Sequence, residues 1–277
     1  MASESSASPQ QPPPPPPTTT VAQKPNTTKD RDFLQHLETY LAKRDGVDKL
    51  LKISRYTTKL ILASSLLHSN PTLSHRLKSF DTNVGVSRKA FRLGKFVQDL
   101  NALRNSLHNY SSHSHCNSNS NSPNRDFILP LIAYGGEGLY YFVEQFVWLA
   151  KSGLIDSKHN RILQKISAWA EFVGYLGSVA MKLRDLRGIV EEEVCLKSSI
   201  EIAVMRGVGW KEEEGRLKKI KEKKLMKVLS IVQDFADGFM CVDDILEGNG
   251  PFSKPIFMAS SGLLSALIST HKNWLSC

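Results

Sequence analysis

Three groups of residues in this 277-residue chain carry types that do chemistry elsewhere. Glu137 and Glu144 lie seven apart, so on a helix they share a face about 10 Å apart along the axis. Paired carboxylates serve as acid and base, but no nucleophile stands beside these two, and pairing with Lys or Arg is the plainer expectation. His113, His115 and Cys116 are metal-ligand types in a Ser/Asn-rich stretch with no second ligand pair, so no metal and no cofactor is expected. Gly135-Gly136-x-Gly138 follows no strand and makes no phosphate loop. His-Glu-x-x-His, Walker and Gly-x-Ser-x-Gly patterns are all missing, and the chain reads as a non-enzyme.

A fourth pattern is physical rather than catalytic. Read as a helix, residues 76–100 place Arg88, Arg92 and Lys95 on one face, with Lys89 beside them. Ala90, Leu93, Phe96, Val97 and Leu100 fall on the opposite face. Such a helix suits a membrane interface, with Arg88, Lys89, Arg92 and Lys95 on anionic phospholipid headgroups and Leu93, Phe96, Val97 and Leu100 as the buried wedge. Phe91 falls among the cations, and the upstream stripe Leu73, Leu77, Phe80 and Val84 is offset by about half a turn, with the break near Gly85. The region is therefore two helical pieces, or one helix apolar over much of its surface. Residues 24–104 hold 16 Lys/Arg against 7 Asp/Glu, and the rest of the chain 20 of each, so the whole excess of +9 sits in the first third. That excess calls for an anionic partner, phospholipid or nucleic acid. No nucleic-acid motif accompanies it, and the charge-free segment 255–270 has no use in a soluble nucleic-acid-binding module.

The elements that must hold these residues read as all-α, because nothing alternates at period two for long enough to make a strand. Residues 1–31 are a Pro-rich tail with six prolines at 12–17, expected to be disordered. Residues 32–110 form a basic amphipathic helical region. Asp32 caps a helix carrying Phe33, Leu37, Tyr40 and Leu41, Asp45-Gly46 turns the chain, and a second helix runs from Val47 to His68 until Asn70-Pro71 stops it. Residues 111–125 are a Ser/Asn linker. Residues 184–254 are a charged loop followed by an amphipathic helix, whose stripe Leu225, Val228, Leu229, Val232, Phe235, Phe239, Val242 and Leu246 reads as a packing face. Cys116, Cys195, Cys241 and Cys277 are scattered, as expected of reduced thiols in a cytosol-facing protein. Residues 1–30 lack a secretory h-region and Leu275-Ser276-Cys277 is not a Ser-Lys-Leu-type address, so targeting to a membrane is expected to be internal.

Two stretches are candidates for the bilayer. Residues 126–183 read as a membrane-associated helical hairpin, with Ala170, Gly174, Gly177 and Ser178 letting helices approach closely. A soluble hairpin is the alternative, since Glu137, Glu144 and Glu171 make a lone lipid-bathed helix costly. Residues 255–277 read as a short C-terminal transmembrane helix and tail. The 16 uncharged residues give about 24 Å of helix, with Lys254, Lys272 and Trp274 as anchors and Ser261 and Ser265 on a small-residue stripe.

The chain resembles the peroxin-eleven family of peroxisomal membrane proteins, its plant members above all. Three stretches carry the resemblance: Arg44-Asp45-Gly46-Val47-Asp48-Lys49-Leu50-Leu51 with Arg55-Tyr56, the run Ser87 to Phe96, and Gln145 to Leu154 with its Trp148, Lys151 and Gly153. It covers about Asp32 to Trp274. The resemblance implies residence in the peroxisomal membrane and a role in elongation, proliferation and fission, through insertion of the 76–100 helix in the cytosolic leaflet. It also implies homo-oligomers and engagement of the division machinery, that is, dynamin-related and adaptor proteins. A small-solute channel, also proposed in the family, is the alternative, with Glu137, Glu144 and Glu171 lining the path. The Pro-rich tail is extra to the family pattern, and the C-terminus lacks the dilysine ending of some plant members.

Overall fold

A computed structural model describes residues 33–64, 70–114, 123–207, 211–250 and 253–277. Within them the chain forms eight α-helices and one 3-10 turn, with no strand. They are α1 (Phe33–Ala42), α2 (Arg44–Ala63), α3 (Pro71–Phe91), α4 (Phe96–Ser114), α5 (Pro123–Lys151), α6 (Asn160–Met205), α7 (Lys211–Ile245) and α8 (Pro255–Leu275). The proline tract at 12–17, His115 and Cys116 lie outside the described residues.

Local chemistry sets most boundaries. α2 ends at Ala63, earlier than the expected His68, and Pro71 stands at the first position of α3, where its missing N–H costs nothing, so Asn70-Pro71 opens a helix. The Asp45-Gly46 signal falls inside the first turn of α2, because Gly46 lets that turn press on the Tyr40 carbonyl of α1. Residues 76–100 are not one helix. α3 ends at Phe91, Arg92–Lys95 make a tight turn with Gly94 at φ +75°, and α4 restarts at Phe96. The linker region is shorter than its composition suggests, since α4 runs to Ser114 and α5 starts at Pro123. α6 runs past the expected hairpin boundary at 183 to Met205, so much of the expected charged loop is helix, and Lys227–Asp185 and Lys224–Glu193 ion pairs join it side by side to α7.

The helices pack as a ring in which each runs antiparallel to its neighbour. α2 meets α3 and α8, α8 meets α7, α7 meets α6, α6 meets α5, and α5 meets both α4 and α3. α1 closes one end, with Phe33, His36 and Tyr40 around the Trp274 ring. Trp274 is thus occupied inside the chain and is not a lipid-facing anchor.

Burial is inverted relative to a soluble bundle. Asp48, Lys52, Arg88, Glu144, Asp234 and Asp237 are buried. The exposed positions from Ile128 to Ala150, Ile166 to Leu183 and Leu225 to Val242 are all apolar. Between Pro255 and Thr270 the exposed side chains are Pro255, Ile256, Phe257, Ser260, Leu264 and Leu267. The α7 stripe therefore mostly points away from the bundle, while Ser230, Asp234 and Asp237 of the same helix point inward. On the opposite side of the ring, α3 and α4 expose Arg76, Lys78, Thr82, Asn83, Ser87, Gln98, Asn101 and Arg104 among Phe80, Val97 and Leu100. Among the described residues no helix is long and apolar enough to cross a membrane, α8 included. In α5 the charge that interrupts the apolar run, Glu144, is turned inward, as is Asp234 in α7.

Candidate functional site: a charged chamber inside the ring

The ring encloses a chamber of about 380 Å³. α2 lends it Lys49, Lys52, Arg55 and Tyr56, α3 and the following turn lend Arg88, Lys89, Arg92 and Lys95, and α5 lends Glu137, Tyr140 and Tyr141. α6 and α7 complete it with Glu171, Tyr175, Lys182, Asp234 and Asp237. Small residues bring two of the lining helices into close contact. Gly174 of α6 lies so near Gly136 of α5 that a Cβ on Gly136 would stand 2.6 Å from the Gly174 nitrogen. Gly177 meets Ala133 in the same way one turn on, and Ala170 is buried beside Gly136. Ser178 turns to α7 and donates to Asp234 at 2.9 Å. Ser265 of α8 is fully buried and accepts from Lys52 at 2.6 Å, and Ser261 faces the Ala236 carbonyl. These small-residue faces are used within one chain.

The basic cluster of the 76–100 region faces this chamber. Arg88 Nε binds Asp48 Oδ1 at 3.0 Å, Arg92 Nε stands 3.5 Å from the same oxygen, and Lys49 lies 3.6 Å from Oδ2. Lys89 donates to Glu144 at 2.7 Å, and Arg92 Nη1 stands 3.4 Å from Glu144 Oε2 and 3.0 Å from the Tyr140 hydroxyl. Lys95 donates to the Tyr141 hydroxyl at 2.8 Å and sits 4.5 Å from that ring's centroid. The cations turn inward because α2 and α5 offer carboxylates there, and a half-buried cation gains most from a paired, desolvated partner. Of the four wedge residues, Val97 and Leu100 point outward, while Leu93 is half-buried and Phe96 stands edge-on to Phe142.

The interior is electrostatically tense. Burial works against the Glu144 carboxylate, but Arg92 and Lys89 outweigh it and hold its pKa down at about 2. Asp48 is likewise held well below the usual carboxylate range by Arg92, Arg88 and Lys49 against the cost of burial. Burial, then the nearby Lys95 cation, pulls the Lys49 ammonium down to about 7. At the α4–α5 joint, burial and then Glu137 push Asp99 up to about 7, and Asp99 Oδ2 has no hydrogen-bond partner. Lys52 and Asp237 pair at 2.8 Å across α2 and α7. Asp48, Lys52, Asp237 and Asp99 were not singled out by sequence as parts of a site. Asp48 and Lys49 fall in the first of the three family-like stretches, and that was their only signal.

Together these features define a helical protein with a cluster of charges sequestered inside and an outer surface apolar along one side. The comparison with known proteins gives the class a family. Residues 34–274 match the model of peroxisomal biogenesis factor 11 (PEX11), and the chain belongs to that family. It is 61% identical over 255 residues to peroxisomal membrane protein 11A of Arabidopsis thaliana, covering 92% of this chain and 98% of that protein. It is 50% identical over 247 residues to peroxisomal membrane protein 11-3 of Oryza sativa subsp. japonica, covering 89% and 91%. It is 30% identical over 247 residues to peroxisomal membrane protein 11B of Arabidopsis thaliana, covering 88% and 99%. No solved structure matches the chain.

Proposed function

We propose that this peroxisomal membrane protein promotes peroxisome proliferation by setting the apolar side of its bundle into the cytosolic leaflet, which widens that leaflet and elongates the organelle. The observation that supports it is the sidedness of the ring. Nineteen large apolar side chains project from α5–α8 between Ile128 and Phe146, Ile166 and Leu183, Leu225 and Phe239, and Ile256 and Leu267. They are about half exposed, so immersing them yields on the order of 15–20 kcal/mol. Surface cations add only about 1 kcal/mol each near an anionic membrane. The hydrophobic term decides the binding, and the α3–α4 cations are secondary to it. A bundle apolar on one flank rests with its helix axes in the membrane plane, since upright axes would put the polar α3–α4 flank against acyl chains. The α5–α6 hairpin and α8 then lie in one leaflet together with α7. The same reading has several copies acting together and handing the elongated membrane to the division machinery.

Spin labels on single cysteines test this in anionic vesicles holding the full chain. A label at Phe235 should be reached by oxygen dissolved in lipid, and one at Asn83 by aqueous nickel chelate. Equal aqueous access at both sites overturns the sidedness. A second reading, a small-solute channel, is favoured by the closed ring around a charged chamber. It requires upright axes with the α3–α4 flank covered by another copy, and a reconstituted conductance that changes on Glu171→Gln.

A further inference from the structure

We infer that the chamber is a binding site for the phosphate or carboxylate group of a small water-soluble solute, received in the corner formed by Lys49, Arg88, Arg92 and Lys95. The claim goes beyond membrane remodelling and does not depend on it, since it requires binding and not transport.

Four observations converge on that corner. First, the local charge is unbalanced: Lys49, Arg88 and Arg92 converge on the single carboxylate of Asp48, and Arg92 shares Glu144 with Lys89. Lys95, the fifth cation, is bound to a tyrosine hydroxyl rather than a carboxylate. Five basic side chains thus stand around two carboxylates in this corner. Second, donors are left over. Arg88 is 5% exposed and lines the chamber, and among the described residues neither its Nη2 nor Arg92 Nε has a hydrogen-bond partner. A buried guanidinium N–H without an acceptor is costly, and an incoming oxyanion supplies the acceptor. Among the described residues Lys49 has a single, long ion-pair contact, to Asp48. Burial first, and then repulsion from Lys95, Lys52 and Arg92, works against the charged Lys49 ammonium, and an added negative group offsets both. Third, the size fits a metabolite: about 380 Å³ lies at the low end of the about 300–1,000 Å³ of small-molecule pockets. Fourth, there is a mouth. A second cavity of about 470 Å³ shares Arg55, Lys89, Tyr140, Glu171 and Asp244 with the chamber. It runs out among Lys151, Arg161 and Lys165 at the end of the bundle where α5 meets α6.

The test uses the full chain purified in a neutral detergent, with thermal unfolding read against ligand concentration. Inorganic phosphate and citrate should each raise Tm saturably, beyond sodium chloride at matched ionic strength. Lys49→Gln and Lys95→Gln should each weaken the apparent affinity at least tenfold, while Lys158→Gln, on an exposed loop, leaves it within twofold. Two variants are used so that a folding defect in one, visible as a lowered Tm without ligand, does not carry the result. No saturable shift with either anion, or an unchanged affinity in both chamber variants, overturns the proposal. A shift given only by dihexanoyl phosphatidic acid, with none from phosphate or citrate, also overturns it and assigns the corner to a lipid headgroup.

Discussion

The two flanks of the ring obey opposite rules on the outside and one rule on the inside. The α5–α8 flank shows solvent Leu, Phe, Val, Ile and Trp, whereas the α3–α4 flank mixes Arg, Lys, Asn and Thr with a few apolar residues. Inward, both flanks present charge, and those charges tie the flanks together across the ring: α3 to α5 through Lys89, Arg92 and Glu144, and α2 to α7 through Lys52 and Asp237. Polarity on the outside therefore distinguishes the two flanks, and polarity on the inside says how they are joined. A hydropathy profile averages the two and sees neither, so the apolar outer stretches of α5 to α7 do not register as spans.

Breaking the joint should have the largest effect. Glu144→Gln leaves Lys89 and Arg92 as buried cations without their carboxylate and should cost about 3–5 kcal/mol, seen as a large fall in Tm of the detergent-solubilised chain. A drop of under 1 kcal/mol would show that the two flanks are held chiefly by other contacts. Gly174→Leu comes next. The helices must part where Gly136 and Gly174 touch, so a loss of about 2–4 kcal/mol is expected, with a larger chamber reported by faster hydrogen exchange of α5.

The outer contrast is sharpened by paired substitutions. Trp169→Glu with Phe235→Glu on the apolar flank should weaken partitioning into anionic vesicles about a hundredfold, or about 2.7 kcal/mol. Thr82→Glu with Asn83→Glu on the polar flank should change it less than threefold. Equal effects would erase the distinction between flanks.

The smallest expected effect is the pH dependence of the α4–α5 joint. The folded-state pKa of Asp99 is raised to about 7, so ionising it opposes folding. The penalty is absent below about pH 4, grows as pH rises toward about 7, and is complete above that. Asp99→Asn should thus raise Tm at pH 8, by about 1–2 kcal/mol equivalent, and leave it nearly unchanged at pH 4.5. Stabilisation at acidic pH instead would place the titrating group elsewhere.

How far this was legible can be judged residue by residue. The helices, the apolar α7 stripe, the small-residue face of α6 and the cationic spacing of Arg88, Arg92 and Lys95 are local or periodic, and periodicity survives in a single sequence. The break at Arg92–Lys95 had one local sign, Gly94, beside a helix pattern strong enough to mask it. Which way the cations face had no local sign at all. Asp48 and Glu144 stand 40 and 56 residues from Arg88 in the chain, and an amphipathic helix reads the same whether its charged side meets phosphate outside or carboxylate within.

The order of residues by itself settled that this is an all-helical chain with an excess of cations in its first third and segments apolar enough to seek lipid. Only the tertiary structure decided that the cations close an internal chamber and that the greasy stripe of α7 looks outward. The reason is that hydrophobic pattern reports the period of a face and never its direction, and direction is set by counter-charges supplied from distant helices.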